Sequence, residues 1–409
     1  MIKTKINFIE YAFMIVAFFI PIWEKLVPPV IALLFLLWLI EGDFKNKFHN
    51  IIRSRTGLLF IIFYLLYVAG LIYTNDMGRG LFDLEVKLSL FIFPVLLLSG
   101  SVNIRKIELN KILKSFVTGC WVVTVFLISR AIFFYLQTHE ISKLTYTSLS
   151  YHTSPSYLAM YLNFSVMIIF LNFFDEIKSK IFRFITVILF LFFVGFIVLL
   201  SSKSGVLMLL FSMIFMFFYL LLRKKYMAVA IMTFVSMLMI VFVIKYARVT
   251  IERIKTAIDV SVNYNNIASN SEESTSERIL IWEASSNVIK RNPVIGVGTG
   301  DVKQELITEY KNEGISFAIE KSLNAHSQYF QTGIAIGLLG LLVLILSLFI
   351  PLYFAFKNKS WIYVFFLFLF IINLLFESML ERQAGVVFYA FFNALLFVNL
   401  KKTDKIVLL

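Results

Sequence analysis

The chain has 409 residues, of which 60% are hydrophobic and only 15% are charged. Soluble globular domains are roughly 45–50% apolar and about 25% charged, so this composition excludes that class. The 46 Phe and 18 Tyr residues also exclude a disordered chain. A net charge of +13 would suggest nucleic-acid binding in a soluble protein, but in a membrane protein it is first explained by basic cytoplasmic loops. The sequence therefore predicts an all-α polytopic membrane protein with no nucleic-acid partner.

Twelve apolar runs are bounded by charged or turn-forming residues, and a membrane-spanning helix needs about 20 residues. The runs cover 8–23, 26–40, 57–73, 87–99, 113–136, 155–173, 183–200, 204–222, 227–246, 327–350, 360–376 and 384–400. The first two predict a tight helical hairpin, and the first is expected to be an uncleaved anchor because no small-residue cleavage site follows it. The run 87–99 is the shortest, and a partly re-entrant segment is the alternative there.

Basic residues in the short loops orient these runs. The clusters 45–55, 105–114, 178–183 and 223–225 all fall in alternate loops, and the intervening loops carry far fewer Lys and Arg residues. The positive-inside rule therefore places both termini in the cytoplasm. The predicted division is 1–246 for spans one to nine, 247–326 for a large periplasmic loop, and 327–409 for spans ten to twelve with a cytoplasmic tail.

The long connection 247–326 has a polar part and a more ordered part. Residues 261–276 are polar and predict a mobile strip. Residues 277–291, with Ser276 as N-cap, and residues 301–313, closed by Gly314, predict two amphipathic helices. The glycine-rich stretch 292–300 between them lacks the βαβ context of a dinucleotide loop, so its glycines predict turns and close packing.

Several basic side chains at the outer ends of the spans are not explained by topology. They are Arg79, Lys87, Arg130, Lys203, Arg278, Arg382 and the titratable His326. Together they favour an anionic ligand, because Arg can contact phosphate through two hydrogen bonds and Lys can serve as a point charge. The alternative is that each one pairs locally. The candidate pairs are Glu85 with Lys87, Glu381 with Arg382, and Glu277 or Glu283 with Arg278.

His326 is the candidate general base, since an imidazole titrates near neutral pH and can accept a proton from an attacking hydroxyl. The alternative is an interfacial histidine whose hydrogen bonds are satisfied. The sequence has no Asp-x-Asp pair for a metal-bound sugar nucleotide, no Walker lysine loop and no zinc-type spacing of Cys and His. No metal or other cofactor is therefore expected.

Four stretches together resemble the O-antigen ligase family of bacterial membrane glycosyltransferases, which overlaps in sequence with O-antigen polymerases. The stretches are 276–282 with the turn 292–300; 324–331 with Gly333, Gly337 and Gly340; 200–205; and Glu377 with Glu381 and Arg382. They are similar to the family's arginine–tryptophan helix and proline–glycine turn, its histidine motif, its Ser-Arg-Gly motif and its acidic residues before the last span. The sequence departs from the family at Lys203, where Arg is usual, and at Ser327, where Asn commonly follows the histidine.

The resemblance implies glycan transfer at the periplasmic face of the bacterial inner membrane. The donor would be a glycan on undecaprenyl diphosphate, and the acceptor a sugar hydroxyl, which for a ligase lies on lipid A-core. His326 would remove the acceptor proton. Arg278, Lys203 and Arg382 would bind the diphosphate, with Arg79 and Lys87 as further cations, and Arg278 would also stabilise the charge that develops during bond breaking. The expected reaction is a metal-independent, inverting, single displacement.

Three rival functions stay open at this point. An O-antigen or capsular polysaccharide polymerase uses the same donor with another lipid-linked repeat as acceptor, and an oligosaccharyltransferase transfers glycan to protein Ser or Thr. A transporter or flippase of lipid-linked sugars would place charged residues deep within its spans. The middles of the predicted spans are almost entirely apolar, which favours an enzyme.

Overall fold

The computed structural model describes residues 2–100, 109–151, 153–173, 179–246, 248–262 and 274–400. Within these ranges all regular structure is helical and there is no strand, which confirms the all-α class. Most of the polar strip 261–276, the basic stretch at 105–106 and the C-terminal tail 401–409 lie outside these ranges. The periplasmic placement of the loop, the orientation of the termini and the topological division stay predictions.

The chain folds into two compact units. One comprises 1–16, 24–108 and 260–409, and the other comprises 17–23 and 109–259. The boundary falls within the first helix, α1 (Ile2–Ile22). The first unit contains α2 (Val27–Ile40), α3 (Phe44–Arg53), α4 (Arg55–Gly70), α5 (Met77–Lys87), α6 (Ser89–Leu98), α14 (Ser274–Arg291), α15 (Val302–Glu313), α16 (Ser316–Glu320), α17 (Gln328–Lys357), α18 (Trp361–Phe376) and α19 (Gln383–Leu400). The second contains α7 (Leu109–Thr138), α8 (Tyr146–Ser150), α9 (Pro155–Ile168), α10 (Lys180–Leu199), α11 (Lys203–Leu222), α12 (Tyr226–Tyr246) and most of α13 (Arg248–Val262).

The predicted apolar runs are largely helical. Among the residues that the structure describes, six helices are long and apolar enough to span a membrane: Arg55–Tyr73, Leu109–Thr138, Lys180–Leu199, Lys203–Leu222, Gln328–Lys357 and Gln383–Leu400. A seventh results if the bent pair Glu24–Ile40 and Phe44–Arg53 is counted as one span. The predicted number of twelve spans is not confirmed, and some of the other apolar helices are short. For example, the 16 residues of α18 extend about 24 Å, less than the roughly 30 Å of the hydrocarbon core.

The helix α19 is the central helix of the first unit. It packs along α6, and nearly all of its residues are buried. Phe388 and Phe392 in α19 contact Phe366 in α18, with ring centroids 5.5 and 6.1 Å apart. Because α18 and α19 are held together in this way, the short connection 377–382 between them is fixed by the core.

The long helix α17 is broken near its beginning. Ile336 and Gly337 leave the helical conformation, and Gly337 adopts a φ of 64°. The turn 292–300 satisfies backbone groups at this break: the N–H of Val297 donates to Ile334 O at 2.8 Å, and the N–H of Leu338 donates to Pro293 O at 2.8 Å. The predicted close-packing turn is thus the partner of the broken helix.

Both predicted loop helices are confirmed, as α14 and α15. Gly314 adopts a φ of 72° directly after α15, and its N–H donates to Lys311 O. The predicted N-cap at Ser276 is wrong, because α14 is already helical at Ser274 and Ser276 lies inside it. The error arose because the polar strip and the start of the helix have the same composition.

We expect alanine at Gly296 to destabilise the protein by about 2 kcal/mol or more. Gly296 has a φ of 75°, where a side chain is strained, and a Cβ there would lie 2.4 Å from Ile334 O. The matched control is Gly195→Ala in α10, where a Cβ meets nothing within 4 Å. Thermal unfolding of the two variants in detergent measures the difference. Equal midpoints would contradict the packing role of the turn.

Candidate active site

A carboxylate lies between the two residues that the sequence predicts to be catalytic. Oε1 of Glu377 is 3.0 Å from Nη2 of Arg278, and its Oε2 is 3.8 Å from Nδ1 of His326. All three side chains belong to the first unit and are largely buried, with 16 to 26% of each exposed. The structure therefore brings Arg278 and His326 together through Glu377.

Arg278 is held by α14 and by the end of α18. Its Nη1 donates to Ser274 O at 3.0 Å, and its Nε donates to Phe376 O at 3.2 Å. One turn further along α14, the Trp282 ring stacks on Phe330 with centroids 6.1 Å apart. The arginine–tryptophan pattern of this helix thus docks α14 against α17 and α18. Because a guanidinium has five N–H groups and three are engaged here, two remain for another acceptor.

His326 has an unusual backbone conformation, with a φ of 46°. Non-glycine residues rarely adopt this conformation, and neighbouring groups stabilise it. The N–H of His326 donates to Asn324 Oδ1 at 3.1 Å, and the N–H of Ala325 donates to Gln331 Oε1 at 3.1 Å. The buried Nδ1 of His326 has no hydrogen-bond partner in the described structure, and the nearby acid is Glu377.

Lys87 is completely buried in an acidic cluster. Its Nζ lies 2.6 Å from Oδ1 of Asp83 and 2.9 Å from Oε1 of Glu381, and it sits over the Tyr67 ring at 4.9 Å. Burial raises the pKa of the Asp83 carboxyl to about 7, although the Lys87 ammonium opposes this shift. With no exposed surface and two carboxylate partners, Lys87 is not placed to contact a diphosphate directly.

Gln328 joins this acidic cluster to the beginning of α17. Its Nε2 lies 3.4 Å from Oε1 of Glu381 and 3.2 Å from Oγ1 of Thr332, which in turn lies 3.2 Å from the Tyr67 hydroxyl. Oε1 of Gln328 accepts the backbone N–H of Leu380 at 2.7 Å. Since Gln328 is two residues after His326, the cluster fixes the turn that carries the histidine.

The remaining predicted cations have different surroundings. Arg79 is about half exposed at the start of α5, with its Nε 3.4 Å from Asp76. Arg382 is exposed and makes no ion pair with any residue that the structure describes. Lys203 belongs to the second unit, at the first position of α11, where Ser202 Oγ accepts the N–H of Gly205.

The local ion pairs suggested by the sequence do not form as predicted. Lys87 pairs with Asp83 and Glu381, Arg278 pairs with Glu377, and Glu277 pairs with Lys321 at 3.0 Å. Asp83 and Gln328 were missed altogether as site residues. The i, i+4 spacing of Asp83 and Lys87 on a helix was the available signal for Asp83. No comparable local signal existed for Gln328.

These features define a class: a helical protein with several candidate membrane spans and a largely buried arginine–carboxylate–histidine site. Residues 187–345 match the family model described as O-Antigen ligase, which confirms the resemblance found in the sequence motifs. The match covers less than half of the chain, and the matched range includes Lys203, Arg278 and His326. No curated protein sequence matches the chain. The family implies a membrane glycosyltransferase of the ligase or polymerase type with lipid-linked glycan substrates.

Proposed function

We propose that this protein transfers a glycan from undecaprenyl diphosphate to a sugar hydroxyl, that of lipid A-core, at the periplasmic face of the bacterial inner membrane. The observation that carries the proposal is the arrangement of His326, Glu377 and Arg278 within the family domain and the turn that follows α18. In this arrangement His326 is the proposed base, Glu377 is the group that orients it, and Arg278 is a cation with N–H groups that can bind another acceptor.

In the proposed reaction, the acceptor hydroxyl oxygen attacks the anomeric carbon of the donor sugar. The bond from that carbon to the diphosphate oxygen breaks, and its electron pair leaves with the undecaprenyl diphosphate. His326 takes the hydroxyl proton and becomes an imidazolium. A single displacement of this kind inverts the anomeric configuration, and it requires no metal at the sugar.

Glu377 is proposed to orient the imidazole of His326 and to stabilise its protonated form. Its Oε2 faces Nδ1, which leaves Nε2 as the atom that accepts the proton. Arg278 keeps Glu377 in place through Oε1 at 3.0 Å. The same logic of base and orienting carboxylate recurs in unrelated active sites.

The leaving diphosphate needs fixed positive charge. Arg278 retains two N–H donors, and Arg382 is exposed directly after Glu381, so both are proposed as diphosphate ligands. Arg79 and Lys203 remain proposed cations of the binding set. Lys87 is proposed instead to hold Glu381 and, through Gln328, the turn at His326.

The test is complementation of a strain that lacks the gene, with lipopolysaccharide and undecaprenyl-linked glycan resolved separately. Long glycan that accumulates on the carrier and is missing from lipid A-core identifies a ligase, and restoration by the wild-type gene completes the assignment. Carrier loaded only with single repeats would identify a polymerase, and loss of glycan from protein would identify an oligosaccharyltransferase. Unchanged outer-face glycans of all kinds would overturn the transferase proposal and favour a transporter.

Arg278→Lys is expected to lower the transfer rate about 10²-fold, because the lysine keeps the charge but loses the planar fork that contacts both Glu377 and an oxyanion. The matched control is Arg291→Lys in the same helix, whose guanidinium pairs with Glu309 at 2.6 Å. Transfer assays on membranes with equal amounts of each variant measure the effect. Equal rates for the two variants would remove Arg278 from the site.

A further inference from the structure

The short helix α3 turns sharply away from α2. The helices Glu24–Ile40 and Phe44–Arg53 are bent by 115° at a break of a few residues. The candidate span that begins at Arg55 follows α3 almost directly. More than half of the α3 residues are polar or charged, which is incompatible with the hydrocarbon core but suits the membrane–water boundary. The placement of α3 at this boundary does not rest on the proposed function.

One face of α3 is fixed to the protein. Lys47 is buried, pairs with Glu41 at 3.2 Å and lies over the Trp38 ring at 4.6 Å. Nδ2 of Asn50 donates to Ser99 O at 2.9 Å. These contacts hold the rotation of α3 about its own axis, so the direction of its other faces is set by the fold.

The adjacent face of α3 is apolar and largely exposed, although the Phe44 ring meets the Trp38 ring edge-on at its N-terminal end. Phe44, Phe48 and Ile52 follow one another at intervals of four residues, and they are 49, 63 and 57% exposed. Side chains at this spacing lie along one stripe of a helix. An exposed stripe of two phenylalanines and an isoleucine is costly in water but favourable in lipid.

A basic stripe lies next to the apolar one. Lys45, His49 and Arg53 are each one residue further along the chain, and all three are exposed. Arg55 is also exposed at the start of α4. An apolar stripe bordered by cations is the pattern of a helix that lies in the membrane surface and binds anionic lipid.

We propose that α3 is an interfacial helix whose apolar stripe enters the acyl-chain region and whose basic stripe binds anionic phospholipid headgroups. The fixed rotation of α3 and the adjoining candidate span place both stripes at the level of the lipid phosphates. The occupant of this surface is the bilayer itself, since lipid matches both the apolar and the cationic stripe.

The depth of the helix can be measured with nitroxide labels in vesicles of phosphatidylglycerol. The full chain carrying Cys120→Ala is labelled at Phe48→Cys, with Asn46→Cys, on the far side of the helix, as control. We expect position 48 to favour oxygen over a water-soluble nickel chelate and to lie about 5–10 Å below the phosphates, and position 46 to be accessible to the chelate. Both positions in water, or both deep in the core as in a re-entrant segment, would overturn the proposal.

Headgroup binding can be measured as the preference of the reconstituted protein for spin-labelled phosphatidylglycerol over spin-labelled phosphatidylcholine. Replacing Lys45 and Arg53 with Gln is expected to lower this preference at least about fivefold, the loss expected when even one cation's attraction to an anionic surface is removed. The control pair is Lys303→Gln with Lys311→Gln, two exposed cations of α15. A preference unchanged by the α3 pair, or lowered equally by the α15 pair, would refute specific binding at α3.

Discussion

Replacing His326 with Gln should lower the rate of glycan transfer at least about 10²-fold, which is the usual contribution of a general base. Gln keeps hydrogen-bonding capacity and approximate size, so the turn at 324–327 is expected to persist. The control is His139→Gln, an exposed histidine of the second unit. The assay is transfer of glycan from the lipid carrier in membranes, normalised to the amount of folded protein. A His326→Gln variant with wild-type activity would rule out the base.

Glu377→Gln separates the orienting role from simple structural support. The amide keeps the shape but removes the charge that faces His326 Nδ1, so the imidazolium formed during transfer loses stabilisation. We expect a lower rate and a changed pH profile of transfer. In a double-mutant cycle with His326→Gln, the two losses of transfer rate should be far from additive. When two residues act as a unit, removing either one already removes most of their joint contribution. Additive losses would show that Glu377 acts independently of the histidine.

The helices could be predicted from the sequence because hydrophobic runs and caps are local signals. The helices at 277–291 and 301–313, and the glycine end of the second, all appeared in the structure. The break in α17 could not be predicted, because it depends on the turn 292–300, which meets the helix some forty residues later in the chain. The predicted number of twelve spans is not confirmed, because apolar composition does not give the length of a straight helix.

The sequence named several residues of the candidate site but not their contacts. Arg278, His326 and Glu377 all appear in the motifs, but the pair of Arg278 and Glu377 joins residues 99 apart in the chain. The local pairing rule assigned Glu277 or Glu283 to Arg278, because sequence proximity was the only guide. In the folded chain, packing of α14 against α18 decides the partner instead. The burial of Lys87 also results from tertiary packing, and the residues around it in the sequence did not indicate it.

Lys87→Met is expected to destabilise the protein by about 3–5 kcal/mol, because it leaves the carboxylates of Asp83 and Glu381 buried without a counter-charge. The matched variant combines Lys87→Met with Asp83→Asn and Glu381→Gln. This triple variant removes the charges together and should recover much of the lost stability. Thermal unfolding in detergent, followed by tryptophan fluorescence, compares the variants. A triple variant no more stable than Lys87→Met would show that the packing of Lys87, rather than its charge, supports the cluster.

The defect of Lys87→Met should also depend on pH. The pKa of Asp83 is raised to about 7 in the folded protein, so the folded state holds a proton that the unfolded state releases at lower pH. This group therefore contributes stability that is present below about pH 4 and is lost as pH rises towards 7. Removing the lysine raises the pKa further, because the ammonium no longer favours the charged carboxylate. The difference in thermal unfolding midpoint between wild type and Lys87→Met should consequently be larger at pH 8 than at pH 5. If the difference is the same at both pH values, the carboxylates are not the source of the defect.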